Sequence, residues 1–170
     1  MSNNEIGKAV TRVEAHYRND PDPGPTADIP VTARMEQGLR CRIESPDGNH
    51  VYTDMPETVG GTATTGSPGW LMRSAIASCD ATLLTMRAAR LGIPLENVEV
   101  RVETCSDGRG MFLDEDISPA STDMHIFFKI SAPGVSRKTI ESLVHWVTDH
   151  APVGNEVKNS LQPAVTIETT

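Results

Sequence analysis

The sequence predicts an α+β fold with one long central helix set among antiparallel strands. Three observations carry this. The run from Ser67 to Gly92 is patterned as an uninterrupted helix, and shorter runs on both sides of it alternate apolar and polar residues with a period of two. Strand and helix patterns are mixed without a repeating strand–helix–strand unit, which separates the chain from parallel-sheet folds.

Near the amino terminus Ile6, Val10, Val13 and Tyr17 recur at helical spacing. The run Asn19-Asp20-Pro21-Asp22-Pro23-Gly24-Pro25-Thr26 then breaks that helix, because closely spaced prolines remove backbone donors and clash with the preceding turn. Residues 1–30 are therefore expected to be a helical appendage and linker, and residues 31–170 the domain proper. From Val31 the period changes to two. Val31, Ala33, Met35, Leu39, Cys41 and Ile43 share one face, and Thr32, Arg34, Glu36, Arg40, Arg42 and Glu44 share the other. One half-buried strand, bulged at Gly38, is expected, with Cys41 pointing inward. Ser45-Pro46-Asp47-Gly48-Asn49 supplies a turn into a second strand near His50 to Asp54. Met55 to Gly66 is polar and glycine-rich, with Gly60-Gly61 at its middle, and forms either a plain connection or a substrate entrance.

Ser67 is placed to cap the long helix, and Pro68 takes its first position, where a missing N–H is harmless. Gly92 followed by Pro94 is the stop. At 1.5 Å per residue this helix would span about 36 Å. Met72, Ile76, Cys79, Leu83 and Met86 form an apolar stripe, and Ser74, Ala75, Ala77, Ser78 and Ala81 allow close approach beside it. The element reads as a central buried helix carrying one thiol, and its cover exceeds what one small sheet supplies, so a second subunit is expected. Beyond it, Val98, Val100 and Val102 alternate with Glu99, Arg101 and Glu103, which puts Cys105 on the charged face. Asp107-Gly108-Arg109-Gly110 turns the chain into a strand marked by Met124, Ile126, Phe128 and Ile130. Ser136 caps a second helix with the stripe Ile140, Leu143, Val144 and Val147, ending at Ala151-Pro152-Val153. A last short strand is expected around Val165 and Ile167.

The composition narrows function. With 170 residues and 38% hydrophobic content, the chain is long enough for one sizeable core. Its formal net charge of −8, with no basic cluster, argues against a nucleic-acid partner. No apolar run approaches the roughly 20 residues of a membrane span. Met1-Ser2-Asn3-Asn4-Glu5 has no basic or apolar leader pattern, so a cytoplasmic, reducing location is the expectation. His145 and His150 are five apart, not the four that would align two imidazoles on one helix face, and no metal-ligand motif or phosphate loop occurs; no metal or cofactor is expected. That leaves Cys79 as the candidate nucleophile on a rigid element. A free cysteine on a core helix also serves as a small apolar packing group, and the neighbouring Asp80 points about 100° away and would disfavour a thiolate.

Ser67-Pro68-Gly69-x-Leu71, Cys79 on the following helix, Leu91-Gly92-Ile93, Asp107-Gly108-Arg109-Gly110 and the late x-Pro152-Val153, taken in this order, resemble the OsmC/Ohr family of osmotically inducible and organic hydroperoxide resistance proteins. The resemblance runs from about Val31 to Thr169. It implies an intertwined homodimer in which long central helices are wrapped by curved antiparallel sheets, with thiol sites at the dimer interface. It also implies reduction of organic hydroperoxides by a reactive cysteine, resolved by a second cysteine preceding a proline. On this resemblance Cys79 matches the reactive cysteine, and the resolving position falls on Ala151, which cannot form a disulfide. The family's helix-opening glutamate falls on Gly69. Its activating arginine falls near Gln37, with Arg34 or Arg40 as substitutes, and the substrate pocket falls on Gly69, Trp70, Met72 and Pro152. Two functions follow. One is a weak hydroperoxide reductase using Cys79 and an external thiol, with Cys41 the other inward-facing thiol. The alternative is a catalytically degenerate dimer that binds a small apolar ligand, with Cys79 only packing. A scaffold engaging a protein partner through the amino-terminal helix is a third.

Overall fold

The computed structural model describes residues 2–22, 24–113, 116–159 and 163–169. In chain order the elements are α1 (Asn3–Asn19), β1 (Thr32–Met35), β2 (Cys41–Glu44), β3 (His50–Thr53), α2 (Pro68–Arg90), β4 (Asn97–Ser106), the short α3 (Arg109–Phe112), β5 (Ser121–Ser131), α4 (Arg137–His150) and α5 (Pro152–Asn159). They form two compact units. One gathers Met1–Val10, Ile76–Arg101 and His125–Thr170; the other gathers Thr11–Ala75 and Val102–Met124.

The second unit is built on an antiparallel sheet in the order β1-β2-β3. Where a single bulged strand was expected, the backbone folds back into a hairpin. Gly38 has a left-handed φ of 59°. Around it the Arg40 N–H donates to the Gln37 carbonyl at 3.1 Å and the Glu36 N–H to the Arg40 carbonyl at 2.9 Å. Glycine reaches this conformation without the Cβ clash that other residues suffer, so the chain turns here instead of bulging. The apolar face survives the turn: Ala33 pairs with Ile43, Met35 with Cys41, and Cys41 with Thr53.

β3 runs into Asp54, which organises the whole Met55–Gly66 loop. Its buried carboxylate accepts from the Met55 N–H (2.8 Å), from the N–H and hydroxyl of Thr62 (3.2 and 2.6 Å), and from the N–H and hydroxyl of Thr64 (3.2 and 3.0 Å). These donors, led by the Thr62 hydroxyl, hold the carboxyl far below the usual aspartate range. Ala63, between the two threonines, is kept at a left-handed φ of 50°. At Gly61 a Cβ would fall 1.9 Å from the Met55 carbonyl oxygen, so no larger residue fits.

In the first unit the core is made where α2 meets α4. Leu84 and Ala88 are buried with Leu143 and Val147, and Phe128 and Ile130 of β5 pack around them. The Glu96 N–H donates to the Ser131 carbonyl at 2.8 Å, and Thr122 donates to the Cys105 carbonyl at 3.3 Å, so β4 and β5 run antiparallel. Gly7 of α1 lies against the last turn of α2, where a Cβ would come 2.6 Å from the Ala89 carbonyl oxygen.

Two further expectations are corrected. The buried stripe of α2 is Ile76, Asp80, Leu84 and Ala88, spaced by four, whereas Met72 and Met86 are 37% and 38% exposed. Small residues widen the apolar surface of this helix, so hydrophobicity alone misplaces its buried line by less than one turn. The chain also continues past Ala151 as α5, and among the described residues no strand forms around Val165 and Ile167. Those two side chains are 79% and 82% exposed. A short alternating run without a neighbouring strand has no ladder to join.

Candidate functional site

α2 carries Cys79, and its ends explain its length. The Ser67 hydroxyl accepts from the Trp70 N–H at 3.3 Å, and Pro68 opens the helix. At the far end Gly92 has a φ of 68°. The Ile93 N–H reaches the Ala88 carbonyl at 2.9 Å, and the Gly92 N–H reaches the Ala89 carbonyl at 3.2 Å. That double closure around a left-handed glycine satisfies carbonyls that the helix would leave free.

Cys79 is a half-buried free thiol. Next to it Asp80 is almost fully buried, at 1% exposure, and its Oδ1 has no hydrogen-bond partner among the described residues. Burial pushes its carboxyl above the usual range, and the charge of Lys158 on α5 opposes part of that shift. In the same unit Ala151 ends α4, its N–H donating to the Val147 carbonyl at 2.8 Å, and is itself buried. Pro152 starts α5 and is exposed.

The second unit holds the other residues singled out from the sequence. Arg34 pairs with Glu44, which Arg42 also contacts at 2.9 Å. Arg40 binds Glu36 at 3.3 Å, donates to the Thr64 hydroxyl at 2.8 Å, and lies 4.3 Å from the centre of the Tyr52 ring. Arg34 and Arg42 pair across the strands, as do Arg42 and Tyr52, so both candidate arginines belong to one face of the sheet.

The opposite face forms a cleft of about 560 Å³ with the first turns of α2. Met35, Cys41, Ile43 and Thr53 line it from the sheet, Leu71 and Met72 from the helix. Among the described residues that line it, none is charged. Thus Met72 sits in the cleft, while Gly69 and Trp70 do not line it; Trp70 is 48% exposed, with its ring over Gly66. A side chain at Gly69 would meet the Arg73 guanidinium at an ordinary 3.6 Å. Cys105 is exposed on β4.

Sequence reasoning missed Thr53 and Asp54, and it read Asp80 only as a neighbour of Cys79. The signal for Asp54 was present as an acid at a strand end followed by Thr62-Ala63-Thr64. For Asp80 it was the four-residue spacing with Ile76, Leu84 and Ala88. Among the described residues no group of three or more histidine, cysteine or acidic side chains is placed to hold a metal ion, and no helix is long and apolar enough to cross a membrane.

A family model described as OsmC-like protein matches residues 61–170, well over half of the sequence. The chain belongs to the OsmC-like family. Solved OsmC-like and Ohr structures share its fold. An OsmC-like protein from Mycoplasma pneumoniae superposes with a TM-score of 0.68 at 16% identity, covering 80% of this chain and 91% of that one. An organic hydroperoxide resistance protein from Legionella pneumophila gives 0.59 at 18% identity, covering 79% and 92%. The organic hydroperoxide resistance protein OhrB of Bacillus subtilis gives 0.52 at 19% identity, covering 79% and 93%. No curated protein matches the chain. At these identities the OsmC-like structures bear on the fold, and the chemistry has to be argued from the residues of this chain.

Proposed function

We propose that this OsmC-like chain reduces organic hydroperoxides slowly through Cys79, acts as a homodimer, and draws electrons from an external thiol. The observation that carries the reading is the placement of Cys79 as a half-buried free thiol at mid-length on α2 of an OsmC-like fold, with alanine at position 151. Two of the solved structures that share the fold are named as organic hydroperoxide resistance proteins.

In the proposed reaction the Cys79 thiolate attacks the terminal peroxide oxygen. The O–O bond breaks, a proton converts the leaving alkoxide into an alcohol, and the sulfur becomes a sulfenic acid. With no thiol at position 151, one external thiol displaces water to give a mixed disulfide, and a second releases Cys79 and leaves as the external disulfide. Arg34 and Arg40, the arginines that the family resemblance offers as activating cations, are each paired with a glutamate, which leaves less of their charge for a thiolate. Gly69 supplies no carboxylate. Slow turnover in a reducing compartment is the consequence.

The test is stoichiometric treatment with tert-butyl hydroperoxide followed by dimedone, read by peptide mass. Labelling of Cys79 well ahead of Cys105, and its loss in Cys79→Ser, is the expected result. Equal labelling of the two would favour the second reading, in which Cys79 packs and the protein binds a small apolar ligand. The uncharged cleft between the sheet and the start of α2 is the observation in favour of that reading.

A further inference from the structure

We propose that the groove between β5 and α4 binds a free α-amino acid with an apolar side chain, its carboxylate on Arg137 and its ammonium on Glu141. The groove lies wholly within the first unit, and the inference rests on neither Cys79 nor the uncharged cleft of the second unit.

Two periodicities build the groove. Phe128 and Ile130 are two apart on β5, so the pleat turns both to the same side. Ile140 and Val144 are four apart on α4, one turn from each other on one face, and close the other wall. All four are half-buried, and the space they bound is about 390 Å³, within the usual range for small-molecule sites. Along the lip runs one row of α4 side chains, Arg137, Glu141 and His145, again four apart. The Arg137 Nε donates to the Glu141 carboxylate at 2.7 Å.

Helix stability does not account for this row. Arg137 and Lys138 stand in the first turn of α4 with no acidic residue beside them, although the helix dipole disfavours cations at that end. The pair runs cation first, which is the weaker orientation on a helix. Its side chains are 92% and 53% exposed, so the pairing adds little to folding. What the row does supply is two opposite charges, one turn apart, on the edge of an apolar groove. A lone carboxylate would reach Arg137 only by taking it from Glu141, whose charge then opposes it. A lone ammonium meets the same conflict with Arg137. A zwitterion satisfies both, because one ion pair is exchanged for two, while its side chain removes the groove wall from water. Charge complementarity therefore selects an amino acid over a simple acid or amine of the same size.

The test is methyl NMR of the full chain at low ionic strength with L-leucine, with leucinamide, which lacks the carboxylate, and with N-acetyl-leucine, which lacks the ammonium. Leucine is expected to move the methyl signals of Ile130 and Ile140 and to leave in place that of Ile43, in the cleft of the second unit. One buried side chain and two exposed ion pairs support a dissociation constant of about a millimolar. Each analogue should bind about three- to fivefold more weakly. Arg137→Gln should erase the preference over leucinamide, and Glu141→Gln the preference over N-acetyl-leucine. Both side chains are exposed, so the variants are expected to fold, which a melting curve checks. No movement of the Ile130 and Ile140 signals by roughly 50 mM leucine overturns the inference, as does equal affinity for the three compounds. Preferences that survive both substitutions overturn the assignment of the two charges. The comparison of the three compounds on the unaltered chain decides the ligand class even if a variant fails to fold.

Discussion

Asp80→Asn is the substitution that bears most directly on the interior of α2. The native side chain is buried, its Oδ1 has no partner among the described residues, and the charge of Lys158 acts on it. A buried polar group left without a hydrogen bond costs about 1–3 kcal/mol. Lys158 offsets part of this for the carboxylate, and an amide keeps part of the polar cost, so a gain of about 1 kcal/mol at pH 7 is expected from asparagine. In a chain of this size that raises the melting temperature by roughly 2–4 °C. The pH dependence is the sharper observable. A carboxyl whose pKa rises on folding holds its proton more tightly in the native chain. The native state is therefore favoured in acid, and that advantage is lost as pH rises through the folded-state pKa. Below about pH 4, the ordinary value for aspartate in an unfolded chain, the variant and parent should melt alike; they should separate as pH rises and stay apart above the folded pKa. Calorimetry from pH 3 to pH 8 measures this, with Lys158→Ala as the companion. Its cost should be larger in the parent than in the Asp80→Asn background. A variant that melts below the parent at pH 7, by an amount that vanishes in acid, would show instead a well-compensated ion pair and refute the reasoning.

Three other outcomes are expected. Gly61→Ala should destabilise the second unit by about 2 kcal/mol, read by urea unfolding, because its Cβ would collide with the Met55 carbonyl unless the Asp54-centred loop shifts. Gly69→Glu should stabilise by about 1–2 kcal/mol in thermal melts: it removes a helical glycine, sets an acid in the first turn, and places a carboxylate four residues before Arg73. Ala151→Cys should form a disulfide with Cys79 after one equivalent of hydroperoxide, seen as a dimedone-negative linked peptide pair that dithiothreitol separates, provided the two α-carbons lie within roughly 4.4–6.8 Å.

Much of the architecture was legible because its signals are local. Caps and stops at Ser67, Pro68, Gly92 and Ser136 act within one turn, and the alternation through β4 and β5 reports one buried face directly. The hairpin at Gly38 was not legible. The odd number of residues between Met35 and Cys41 carries the period-two pattern through the turn, so the correct face was read from a strand that does not exist as one piece. α5 was missed because Pro152 looks like the end of α4 when it is equally the first residue of another helix. At the site, Cys79 was visible as a lone thiol in a helical pattern. The standing of Asp80 was not, since it comes from burial without a partner among the described residues, a tertiary property to which spacing is blind.

The seat of α1 against α2 has a consequence for how this protein can vary over evolutionary time. What meets there is the bare Cα of Gly7 and the carbonyl of Ala89, backbone against backbone. Drift in the surrounding side chains cannot loosen such a contact, and no compensating change in a neighbour can rescue a larger residue, because the obstructing atom is common to all amino acids. Selection on the first half of α1 is thereby sharpest at Gly7, where it acts against the gain of a single carbon, while the half-buried Ile6, Ala9 and Val10 beside it can still exchange with side chains of similar size.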